Sequence, residues 1–352
     1  REALDEEAAA FVHWGATSQD IVDSGLVLRL CDLLALFEGR LAALIQRLAT
    51  LAETHRATAM PARTRAQQAT PTTFGLKVAG WMLPLQRHRE RLAELRPRLL
   101  LLSLGGAAGT LAALGDKAFE VEAAMAEELG LAVPSLPWHV QRDGIAELAG
   151  WLSLVSGSLG KLGGDVILLA QSEVGEVRPA AGGGSSTMPQ KANPVGPEVL
   201  VALARFNAGL IGTLHQALLP GQERGGPEWQ LEWLGLPQMA VATGAALRQA
   251  DLLLDGLVID AARMRRQLEQ SNGLLLAEAA SFALAAHMPR PAAQALVKAA
   301  CQEALASDRH LMTVLAEKTS APVDWAALAD PAGQIGAAEA LVDRALRAVK
   351  PL

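Results

Sequence analysis

Apolar positions recur at steps of three or four along most of this chain. Leu26, Leu30, Leu33, Phe37, Leu41, Leu44, Leu48 and Leu51 form one such stripe. Ile145, Leu148, Leu152, Val155, Leu159, Leu162, Val166 and Leu169 form a second. Phe74, Val78, Trp81, Leu85, Leu92, Leu95, Leu99 and Leu102 form a third, with His88 in its gap. Val199, Leu203, Phe206, Leu210 and Leu214 begin a fourth helix, and a fifth is predicted over residues 228–257. Such spacing gathers apolar side chains on one helical face. Helices of 25–30 residues would be roughly 40 Å long, and such lengths pack side by side as a bundle. Alternation of period two is nearly absent, so little β-structure is expected. The predicted fold is all-α, with a long central bundle of about five helices.

Pro84 predicts a kink in the third stripe, and Pro97 lies near its end. Residues 99–115 lack charge but are short for a membrane span. With Gly105, Gly106 and Gly109 they read as a helix end and a glycine-rich connection. After Ser271-Asn272-Gly273 the helical patterns shorten, punctuated by Pro289, Pro291 and Pro322. That marks residues 271–352 as a small C-terminal helical domain. Residues 20–270 form the bundle, and residues 1–19 read as the remnant of an N-terminal helical domain carrying a site loop. Apolar stripes in excess of what one chain can cover point to partner subunits.

Composition narrows the function. Half of the 352 residues are apolar, 4% are aromatic and tyrosine is absent. A net charge of −6 argues against a general nucleic-acid binder. It leaves an anionic substrate open, because a site can be locally basic on an acidic protein. Cys31 and Cys301 make no disulfide scaffold and fit a reducing cytoplasm. No secretory signal is visible in a chain that opens at Arg1. No His-x-x-x-His or Cys-x-x-Cys pair suggests a metal, and no Gly-x-Gly-x-x-Gly follows a strand. A Ser-His-Asp hydrolase lacks the strand its serine elbow requires. No cofactor is expected.

Chemistry concentrates at residues 182–194. Gly182, Gly183 and Gly184 make a loop that can move, and Ser185 and Ser186 follow. Lys191 and Asn193 can grip a carboxylate, and Pro194 opens a helical pattern. A phosphate-cradling loop is a poor fit, because Ala192 follows Lys191 and no glycine directly precedes it. Elsewhere, Thr17, Ser18 and Gln19 offer hydrogen bonds before a helix expected near Ile21, with Asp20 as its N-cap. Arg63, Arg65 and Gln68 fall in a stretch that otherwise reads as a solvated loop with Pro71 starting a helix. Arg224 can hold a carboxylate, whereas Trp229 and Trp233 read as packing. His139 and Arg142 precede another helix and read as supporting or structural.

Residues 184–194 resemble the signature of the fumarase/aspartase superfamily, G-S-S-x-M-P-x-K-x-N-P, at every position. His13 to Asp20 resembles the H-x-G-x-T-S-x-D stretch of adenylosuccinate lyases and of bacterial 3-carboxy-cis,cis-muconate cycloisomerases. Many members carry Thr-His where this chain has Thr64-Arg65, a departure shared with the cycloisomerase branch. The Glu223-Arg224-Gly225 stretch, followed by Trp229 and Trp233, also resembles that branch. The resemblance implies intramolecular carboxylate addition to 3-carboxy-cis,cis-muconate, a step of protocatechuate breakdown. Ser185 would carry the proton and Lys191 would stabilise an enolate. Asn193, His13, Thr17, Ser18, Arg224, Arg63, Arg65, Gln68, Met188 and Ser186 would contact the tricarboxylate. It also implies a cytoplasmic homotetramer with shared sites, and a further helical segment before His13. An adenylosuccinate-type lyase and a non-catalytic protein on the same fold are the alternatives.

Overall fold

The computed structural model describes residues 3–179, 183–184, 187–189 and 191–349. Helices dominate. α1 is Glu6–Phe11 and α2 is Ser18–Thr54. A hairpin of β1, Ala59–Thr64, and β2, Gln67–Thr73, leads into α3, Phe74–Leu99. α4, Ala118–Leu129, and α5, Asp143–Leu169, follow. Short strands β3 (Val177–Pro179), β4 (Gly183–Gly184) and β5 (Ala192–Asn193) precede α6, Val195–Gln216, and α7, Pro227–Asp255. Then come β6 (Leu257–Ile259), α8 (Ala261–Glu269), α9 (Ala277–Ala285), α10 (Arg290–Ser307), α11 (Leu311–Lys318), α12 (Trp325–Ala329) and α13 (Ala338–Arg347).

The five expected long helices are α2, α3, α5, α6 and α7. α2 has 37 residues, and at 1.5 Å per residue it extends ~55 Å. α3 continues through Pro84 and Pro97, as α7 does through Pro237. One expectation fails locally. Pro71 starts no helix; it lies in β2, and α3 begins at Phe74. Thr73 Oγ1 accepts the Leu76 N–H at 3.1 Å and so caps that helix.

The chain divides into two compact units. One comprises Arg1–Ala43, Leu85–Gly163 and Glu198–Asp251; the other comprises Leu44–Pro84, Gly164–Pro197 and Leu252–Leu352. In the first, Leu30, Leu34, Phe37 and Leu41 of α2 are buried with Leu92 and Leu95 of α3, Leu148, Leu152 and Leu159 of α5, and Met239 and Leu247 of α7. Phe37 stacks on Trp151 with ring centroids 6.4 Å apart. In the second, α9, α10 and α11 enclose Leu284, Val297, Ala300, Leu311, Val314 and Leu315.

His88, the polar residue in the third stripe, is buried in the first unit. Arg91 Nη1 donates to its Nδ1 at 3.3 Å, so the neutral ring carries its proton on Nε2, 2.8 Å from Ser158 Oγ. Burial, then the charges of Arg91 and Arg87, lowers its pKa from 6.5 to about 4. The unfolded chain therefore takes up this proton first. Stability from this site is complete above pH 6.5 and is lost as pH falls towards 4. The total loss would be ~3 kcal/mol. Denaturant unfolding across that window should show this slope, and His88→Gln should lack it. Equal slopes in both proteins would refute the assignment.

Candidate active site

In the first unit, the α1–α2 connection turns at His13 and Gly15, whose φ values are 66° and 71°. α2 begins at Ser18 rather than near Ile21, so Asp20 is its third residue and not its N-cap. Asp20 Oδ2 reaches back to accept the Thr17 N–H at 2.8 Å, the reciprocal half of a capping box. The Thr17 side chain faces elsewhere: Arg224 Nη1 donates to Thr17 Oγ1 at 2.6 Å. Arg224 Nη2 donates to the carbonyls of Gly106, at 3.3 Å, and Ala107. Every one of these acceptors is a neutral oxygen. Because Thr17 Oγ1 accepts from Arg224, its own proton is available to donate. A guanidinium and a hydroxyl so arranged, with Arg224 exposed, form a ready receptor for a carboxylate.

Behind this pair lies a polar network buried in the same unit. Asp20 also accepts from Gly105 N at 2.9 Å, Gly106 N at 3.0 Å and His139 Nε2 at 2.5 Å. Burial alone would push the Asp20 carboxyl up. The hydrogen bonds from His139, Thr17 and Gly106, with the nearby imidazole, outweigh it and hold the carboxyl below its ordinary value. Arg142 is clamped by two carboxylates. It donates to Asp23 at 2.7 and 3.2 Å and to Glu232 at 2.8 and 2.5 Å. Trp229 Nε1 donates to Asp23 Oδ1 at 3.0 Å, so this tryptophan both packs on Trp233 and satisfies a buried acid.

In the second unit, β3 leads into the signature segment and is pinned from several sides. It pairs antiparallel with β6, Val177 opposite Ile259. Arg263 and Gln267 of α8 donate to the carbonyls of Glu173 and Val174. The base of the signature segment is closed by β4 and β5, with Gly183 opposite Asn193 and Gly184 opposite Ala192. A Cβ on Gly183 would sit 2.6 Å from Val195 Cγ2, so a larger residue there would have to displace the exposed Val195 side chain. Lys191 is exposed, and its N–H donates to the Met188 carbonyl at 3.0 Å.

The expected cations separate by their partners. Arg63 is not a free cation: its guanidinium meets both carboxylate oxygens of the fully buried Glu176, at 2.8 and 2.7 Å. That pair fastens β1 to the segment before the signature. Arg65 is exposed at the hairpin tip. Arg65 and Ala66 have φ of 50° and 64°, the two positive values of a type I′ turn. Gln68 lies opposite Arg63 on β2 and is exposed. His13, Ser18 and Met188 are exposed and Asn193 is half-buried. Ser185 and Ser186 lie outside the described residues. Arg142 was read as supporting or structural, but its partners Asp23 and Glu232 were missed by the sequence reading. Their available signal was charge inside otherwise apolar helical patterns.

Comparison with known proteins bears on this arrangement. A family model described as lyase matches residues 2–206, and one described as adenylosuccinate lyase C-terminus matches residues 273–345. The chain is 51% identical to a 3-carboxy-cis,cis-muconate cycloisomerase of Pseudomonas aeruginosa, over 98% of this chain and 77% of that protein. It is 43% identical to one from Bradyrhizobium diazoefficiens, over 97% and 78% of the two chains. The crystal structure of 3-carboxy-cis,cis-muconate lactonizing enzyme from Pseudomonas putida is similar with a TM-score of 0.91 and 46% identity. That match covers 98% of this chain and 79% of that one.

Proposed function

The chain belongs to the lyase family, within the fumarase/aspartase superfamily, and we propose that it converts 3-carboxy-cis,cis-muconate to 4-carboxymuconolactone. The observation that carries the reading is Arg224, a cation held beside Thr17 by neutral oxygens. It is a receptor suited to one carboxylate of a tricarboxylate. Identity of 51% to a protein with this activity supports the substrate assignment.

In the proposed reaction, one carboxylate oxygen of the substrate attacks an alkene carbon of the same molecule and a C–O bond forms. The alkene electron pair moves onto the neighbouring carboxylate, giving an enolate dianion. Ser185 then delivers a proton to the adjacent carbon and is reprotonated from solvent. Substrate and product are isomers, so nothing else is consumed. Lys191 and Asn193 stabilise the enolate oxygens by charge complementarity. Tethering makes conformer selection a large part of the rate, while Arg224 and Thr17 anchor one carboxylate and contribute binding. No amine or water leaves, so no acid is required where other branches have histidine and this chain has Arg65.

Stabilising a dianion requires exclusion of water, yet His13, Ser18, Lys191 and Arg224 are all exposed. Phe206 of α6 and Leu234 and Val241 of α7 are exposed too. A homotetramer in which partner chains cover these groups accounts for both facts.

The test is an ultraviolet assay with 3-carboxy-cis,cis-muconate, run beside light scattering. Fast loss of diene absorbance with lactone as product, from a tetramer, is expected. Turnover of adenylosuccinate instead would select the lyase reading. Turnover of neither would select a non-catalytic role, and a monomer in solution would refute the shared site.

A further inference from the structure

We propose that Asp20 is a positioning residue that sets the Arg224–Thr17 carboxylate receptor from behind; this rests on the reading of that pair given above. Each Asp20 oxygen is saturated by two donors. Oδ1 takes His139 Nε2 and Gly105 N, and Oδ2 takes Thr17 N and Gly106 N. The acceptors for Arg224 lie on the same two segments: the Thr17 hydroxyl, and the carbonyls of Gly106 and Ala107. Asp20 thus holds the N–H side of a loop whose C=O side holds Arg224. It also fixes the backbone of Thr17, whose hydroxyl completes the pair.

Little else in the loop can vary. Gly106 has a φ of 70°, and a Cβ there would sit 2.6 Å from the Gly15 carbonyl oxygen. A Cβ on Gly105 would meet His139 Cε1 at 2.8 Å and Pro137 Cβ at 2.9 Å. Asp20 therefore sets the two peptide planes that end at Gly105 N and Gly106 N, and the tightly packed Gly106 joins them to the next two planes, whose carbonyls hold Arg224. Those carbonyls can be re-aimed by changing Asp20 without touching Arg224. Asp20 is fully buried and acts through these groups, not on substrate.

Asp20→Asn tests the idea. The amide replaces one acceptor with a donor, which must then face two donors of the present set. KM for 3-carboxy-cis,cis-muconate should rise roughly tenfold with kcat little changed, the mark of lost ground-state positioning. Arg224→Ala should raise KM at least as far. The double variant should match Arg224→Ala alone, because both changes remove the same interaction. If Arg224→Ala raises KM and Asp20→Asn does not, or if the two effects multiply, the positioning role is overturned and the receptor stands. If Arg224→Ala leaves KM unchanged, the receptor itself is wrong and the proposal falls with it. If Asp20→Asn does not fold, His139→Gln takes its place in the cycle. It keeps a donor for Asp20 and should give a smaller KM rise, also absent in the Arg224→Ala background; an additive effect would overturn the proposal.

Discussion

Replacing Ser185 by alanine should lower kcat on 3-carboxy-cis,cis-muconate by roughly 10²–10⁴-fold, the usual contribution of a positioned proton donor. The addition step creates charge on carboxylate oxygens, which Lys191 and Asn193 are assigned to meet. Collapse to the lactone then needs a proton at carbon, and a carbon dianion is protonated slowly unless the donor is already in place. A serine is a weak acid in water. In the proposed mechanism the Lys191 ammonium stabilises its alkoxide and so makes the hydroxyl a better donor. KM should change far less than kcat, because the contact is made at the proton transfer. Circular dichroism and light scattering should match the parent protein. In deuterium oxide the parent enzyme should place deuterium stereospecifically beside the carboxylate. A variant retaining more than a tenth of parent kcat would remove Ser185 from the mechanism. Lys191→Met should cost roughly 10²–10³-fold by the electrostatic route instead.

The parts of this molecule that were legible in its sequence are those set by neighbours on one helix. Leu26 through Leu51 announce α2 because a step of three or four is itself the helix repeat. The short motif around Arg224 marked it as a candidate, but the hydrogen bonds that hold it beside Thr17 and the residue 106–107 carbonyls were not visible there. The hairpin β1–β2 was not legible, because its turn is Arg65-Ala66 and lacks the Asn-Gly pair that favours positive φ at both positions. Left-handed backbone at two non-glycine residues costs roughly 1–2 kcal/mol each, so only tertiary context makes that turn worthwhile. Arg63 looked like a substrate cation because its partner, Glu176, lies 113 residues away. Asp20 looked like a simple cap for the same reason: three of its four donors come from Gly105, Gly106 and His139. Periodicity reports which face is buried; it does not report which distant charge will meet it.

Replacing Arg142 by leucine is expected to destabilise the protein by about 3–5 kcal/mol, the cost of breaking a buried ion pair from one side. Its side chain is 3% exposed, Asp23 is 0% and Glu232 is 2%, so water cannot replace the lost donors. Burial opposes the arginine's own charge, but hydrogen bonds and charges from Glu232 and Asp23 hold its proton more tightly than usual. Its guanidinium also lies 4.7 Å from the Trp138 ring centroid. Without it, two carboxylates share a dry site, and among the described residues Trp229 and Gln19 remain as donors to Asp23. One of them must take up a proton, so the loss should shrink as pH falls. Denaturant unfolding at pH 8 and pH 5 reads both effects. A loss under about 1 kcal/mol at pH 8 would show that the cluster does not hold the fold. Replacing all three charges together by apolar residues should restore most of the stability, because the penalty comes from the orphaned acids. Activity need not return with it. Arg142 and His139 lie on the same short segment before α5, so loss of the Arg142 clamp is expected to loosen the His139–Asp20 contact and raise KM. A variant that regains stability and keeps a raised KM would separate the two consequences of this buried charge.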